Sequence, residues 1–64
     1  MNKLYNLMDN VFLMFSSASL SDREILTDIY SALYELKARQ IQGEDVNLQI
    51  GHLEKKFNQL LKKQ

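Results

Sequence analysis

The side chains able to do chemistry are few, and their spacing assembles no reaction centre. His52 is the one imidazole, and the 64 residues include no cysteine. Catalysis needs a nucleophile, a base in reach of it and a third group that orients the base. His52 lies beside Leu53, one position off an apolar helical seam, which reads as a solvated or half-buried helix residue. One histidine without thiolates cannot supply the ligands of a zinc site. Asp22, Glu24 and Asp28 form a carboxylate cluster, but they stand at the start of a helix, where negative charge complements the macrodipole. With two glycines in all, no phosphate-cradling loop or nucleophile elbow is present. The expectation is a chain with no catalytic, cofactor-binding or metal-binding residues, and therefore not an enzyme.

Binding classes narrow in the same way. Lys+Arg and Asp+Glu are 8 each, so the formal net charge is zero. Nucleic-acid affinity rests on excess positive charge, so nucleic acid is an unfavourable partner. The lysines Lys55, Lys56, Lys62 and Lys63 would have to meet those of a second chain to form a basic face, which keeps a dimeric RNA-binding hairpin as a minor alternative. The apolar run Val11 to Phe15 is far shorter than the ~20 residues of a spanning helix. Asn6, Asp9 and Asn10 interrupt any signal-peptide core, so the cytoplasm is the expected compartment.

Three helical segments follow from periodicity and end signals. The first covers about residues 3–15, where Leu4, Leu7, Met8, Val11, Met14 and Phe15 recur at steps of three and four. Tyr5, Phe12 and Leu13 widen that face, and a helix so broadly apolar needs cover on more than one side. The second covers about residues 22–42. Ser21 and Glu24 have the spacing of a capping box, and Leu20 and Ile25 that of a hydrophobic staple. Leu26, Ile29, Leu33 and Leu36 form its seam, with Tyr30, Tyr34, Ala38 and Ile41 in a softer stripe beside it. Glu35 and Arg39 are an i,i+4 pair in the favourable order. Gly43 suits the left-handed residue that ends helices.

The third segment covers about residues 46–62, with Asp45 as its expected N-cap. Val46, Ile50, Leu53, Phe57 and Leu60 step four, three, four, three, with Leu61 alongside. Gly51 inside this segment reads as tolerated, or as a place where another backbone approaches.

The connection at Gly43–Asp45 is short, so segments two and three should double back antiparallel. Their charges agree. Asp22 to Asp45 carries six acids and three bases, a balance of −3, and Val46 to Gln64 carries one acid and four bases, a balance of +3. The expected architecture is all-α, one small domain: an antiparallel helical hairpin with an additional N-terminal helix. A chain this short buries only about 60% of its unfolded surface. Without disulfides or metal it is completed by oligomerisation or a partner. The residues expected to meet that partner are Leu4, Leu7, Met8, Val11, Phe12 and Phe15 on the first helix and Ile29, Leu33, Leu36, Leu53, Phe57 and Leu60 on the hairpin. Whether the first helix packs within the chain or across chains is open at this level.

Ala32-Leu33, Leu36-Lys37, the turn residue Gly43 and Leu53-Glu54, with Leu4 and Leu7 near the start, form a pattern that resembles the small E-type co-chaperones of type III secretion needle subunits. The similarity spans Ile29 to Leu60, about half the chain. It implies a cytoplasmic chaperone that pairs with a helical-repeat co-chaperone and keeps the needle subunit unpolymerised. It also implies a hairpin face shared between self-packing and the partner. The residues alone leave a second reading open, a homodimeric regulatory or inhibitor protein of phage or plasmid type. Heterodimer and homodimer both remain.

Overall fold

Each of the three apolar stripes folds as a helix, and end signals decide where each begins and stops. The computed structural model describes residues 2–63. It contains α1 (Lys3–Phe15), α2 (Leu20–Ile41) and α3 (Asn47–Lys62), with no strand among the described residues. The all-α hairpin with an added N-terminal helix is the architecture that the periodicities predict.

Asn2 caps α1. Its Oδ1 accepts from the Leu4 amide at 3.0 Å, and its Nδ2 donates to Gln40 Oε1 at 2.8 Å. One side chain thus satisfies a free helix-start amide and ties the beginning of α1 to the end of α2. The other end of α1 is held by Arg23 of α2. Its Nε donates to the Phe15 carbonyl at 3.1 Å and its Nη2 to the Ser16 carbonyl at 3.3 Å. These carbonyls have no partner inside the helix, and a cation there also meets the negative end of the dipole. With both ends fastened, α1 lies antiparallel to α2.

The start of α2 differs from the expected capping box. Ser19, not Ser21, is the N-cap, its Oγ accepting from the Asp22 amide at 3.3 Å. Ser19 and Asp22 have the same three-residue offset as Ser21 and Glu24, and burial chooses between them. Capping at Ser19 places Ala18 in the core and keeps the connection short. The expected staple does not form, because Leu20 becomes the first helical residue and is 79% exposed.

The α2–α3 turn is a Schellman motif. The Glu44 amide donates to the Arg39 carbonyl at 3.1 Å and the Gly43 amide to the Gln40 carbonyl at 3.0 Å. Gly43 has φ 97°, a left-handed conformation that a Cβ penalises. The motif brings Glu44 back over Arg39, so Arg39 pairs with Glu44 and not with Glu35. Asp45 acts one residue short of the expected cap. Val46 holds the cap position and is buried, while Asp45 Oδ1 accepts from the Asn47 amide at 3.1 Å.

The two glycines therefore carry opposite predictions. A Cβ at Gly51 meets nothing within 4 Å, which removes the idea of a close backbone approach. Gly51→Ala is expected to stabilise the chain by up to ~1 kcal/mol, the difference in helix propensity. Gly43→Ala is expected to destabilise it by about 1 kcal/mol, from the left-handed φ. Thermal unfolding of the two variants side by side checks both signs.

One apolar cluster joins the helices. Leu4, Leu7, Met8, Val11 and Met14 of α1 meet Leu26, Ile29, Leu33 and Leu36 of α2 and Ile50, Phe57 and Leu60 of α3. Ala18 and Val46 close the cluster at the two turns, and Tyr30 and Leu53 flank it. No polar or charged residue is buried among the described residues. Helix α1 packs chiefly on α2 and more lightly on α3, within its own chain. The tail lysines do return toward α2: Lys56 and Lys63 line one groove with Asp28. Elsewhere Lys3 Nζ reaches Glu54 Oε1 at 3.2 Å and fastens α1 to α3.

Candidate interaction surface

His52 is exposed on α3. Among the described residues, no three His, Asp or Glu side chains gather where they could hold a metal ion. Also among them, no helix is long and apolar enough to cross a membrane. The features left to examine are apolar surfaces.

The structure divides the residues expected at a partner interface. Leu4, Leu7, Met8, Val11, Ile29, Leu33, Leu36, Phe57 and Leu60 are buried in the chain's own core. They form one cluster in which α1 meets the hairpin, and Ile29 and Leu60 also floor a groove between α2 and α3. Leu53 is half-buried at the groove between α2 and α3. Phe12 and Phe15 remain outside the core, 70% and 39% exposed.

These two aromatics form a ledge. They lie three residues apart on α1, so their side chains emerge on one side. Together with Val11, they face Leu26, Thr27, Tyr30 and Ser31 of α2 across a groove of about 270 Å³. The floor is apolar, with Val11 and Leu26 fully buried beneath. Phe15 and Thr27 also border the adjoining depression with Leu20 and Arg23, so the surface continues around the α1–α2 turn.

Arg23 stiffens this ledge. Its guanidinium carbon lies 5.2 Å from the centroid of the Phe15 ring, within the range of a cation–π contact. The same guanidinium donates to the Phe15 and Ser16 carbonyls, so ring and backbone are held by one side chain. A ledge set in place before binding loses less freedom when a partner arrives.

Sequence reasoning placed Phe12 and Phe15 at the interface but missed Tyr30, Thr27 and Leu20 beside them. Tyr30 lay in the softer stripe of α2, which was the available signal. The overall surface is generous as well. The accessible area is 4682 Å², against about 4,200 Å² for a monomeric protein of this mass. No family model, characterised protein or solved structure matches the chain.

Proposed function

We propose that this protein is a non-catalytic helical interaction protein whose Phe12–Phe15 ledge receives an amphipathic helix of another protein. The observation behind the reading is the groove between α1 and α2, with a buried apolar floor and Phe12 standing 70% exposed on its rim. An exposed aromatic beside an apolar groove is what an i, i+3, i+4 helical anchor recognises. Aromatic residues also dominate interface energetics.

A narrower form names the partner class. The resemblance to the needle-subunit co-chaperones makes the incoming helix an aggregation-prone secretion subunit held in the cytoplasm. Because Ile29, Leu33 and Leu36 are already buried in the chain's own core, such a partner would meet the ledge and not the hairpin interior.

The test compares partner capture by the parent chain and by Phe12→Glu and Phe15→Glu in the native cell. A protein retained by the parent should be lost from both variants, with far-UV circular dichroism unchanged. Loss of one buried aromatic anchor should weaken binding by about 2 kcal/mol or more, roughly thirtyfold. Equal retention of the same protein by the double variant would remove the ledge from consideration. For the narrower form, a needle-type subunit should stay unpolymerised when co-expressed with the parent chain and polymerise beside the double variant.

A further inference from the structure

A second surface lies on the hairpin itself, and no α1 residue lines it. Between α2 and α3 runs a groove of about 410 Å³. Its floor includes Ile29 and Leu60, which are buried, with Ala32 and Leu53 half-buried above them and Ile25 exposed at the edge. Its rims have opposite charge. Asp28 stands on the α2 side, and Lys56 and Lys63 stand on the α3 side.

We infer that this groove binds a second copy of the chain about a twofold axis running along the groove, so that each α2 lies on the other copy's α3.

Charge selects both the occupant and the axis. Helices α2 and α3 are antiparallel, so Asp28 in the first half of α2 lies at the same end of the hairpin as Lys56 in the second half of α3 and Lys63 at its C-cap, and all three line the groove. A twofold axis along the groove keeps these ends together and exchanges the helices. Asp28 of one copy then faces Lys56 and Lys63 of the other, and symmetry repeats the pairing. A twofold axis across the groove would set α2 against α2 and α3 against α3, so the Asp28 rims fall on one side and the lysine rims on the other, which like charges oppose. Partners of uniform charge fit poorly, because one of the two rims always repels them. The formal net charge of zero leaves no overall repulsion between copies. Ile25, Ala32 and Leu53 supply the apolar contact between the charged rims.

This interface adjoins the ledge at Asp28, which also borders the depression beside Phe15, whereas Phe12 lines the α1–α2 groove and Lys56 and Lys63 line the α2–α3 groove. Variants at Phe12 and at the two lysines therefore separate partner binding from self-association.

Sedimentation velocity of the full chain, from micromolar to millimolar concentration and at low and high salt, tests the inference. The parent should dimerise, less tightly as salt rises. Asp28→Lys should weaken association at least about tenfold, as should the double variant Lys56→Glu with Lys63→Glu, by placing like charges in contact. All three positions are exposed, and helicity should be unchanged. An equimolar mixture of the two variants should recover a heterodimer, since each α2 then meets an oppositely charged α3. Charge repair within one chain cannot produce that recovery. A parent that stays monomeric at every concentration overturns the inference. So does a dimer indifferent to both charge variants, or one dissolved by Phe12→Ser in their place.

Discussion

Leu33→Asp and Phe57→Asp each leave the chain without a cooperative folded state. Leu33 is 0% exposed and Phe57 5%, on facing helices of the same cluster. No buried polar or charged group is present among the described residues to receive a carboxylate. An unpaired buried charge costs about 3–5 kcal/mol even where some relaxation is possible. A domain of this length has a total stability of about 3–10 kcal/mol. The two quantities are comparable, so the expected result is loss of the urea unfolding transition and of most helical circular dichroism. Native-like unfolding curves for both variants would mean that the hairpin seam is not the core.

Leu4→Ala should cost about 2–5 kcal/mol, the range for deleting a large buried aliphatic side chain. The size matters less than what unfolds. Leu4 is fully buried in the first turn of α1, directly after the Asn2 link to α2 and the Lys3 link to α3. If α1 is integral to one core, the loss lowers the midpoint for all three helices together. Hydrogen exchange would then show protection falling in α2 and α3 as much as in α1. If α1 were an appendage, only its own amides would lose protection. The result bears directly on the interaction reading. The ledge exists only because α1 is fixed to α2, so Leu4→Ala should also weaken partner capture under conditions where the domain is partly unfolded.

Helix existence and the hairpin topology were legible in the residues. The three-four spacing of Leu26, Ile29, Leu33 and Leu36 and that of Ile50, Leu53, Phe57 and Leu60 leave few arrangements other than two facing helices. Gly43 marked the reversal because a left-handed residue is a local steric requirement, and local requirements can be read locally. The helix ends were less legible. The sequence pointed to Ser21 as the cap of α2, whereas the helix starts two residues earlier, capped by Ser19 with Ala18 buried before it. The i,i+4 spacing pointed to Glu35 as the partner of Arg39, whereas the Schellman turn, a three-dimensional return of the chain, brings Glu44 to it.

The same division holds for function. From the sequence alone came the all-helical class, the seams, the opposite charges of α2 and α3, and the excess of apolar side chains on α1. Sequence reports how apolar a helix is and at what spacing. It does not report which arc of a broad apolar face another helix will cover, because that depends on docking angle and on side chains distant in the chain. The tertiary structure decided that Leu4, Leu7, Met8 and Val11 turn inward while Phe12 and Phe15 stay outside, and that α1 covers its own hairpin. It also joined Tyr30 and Arg23 to the ledge and set Asp28 in one groove with Lys56 and Lys63. Those placements arise from packing between segments, which no single stretch of residues encodes.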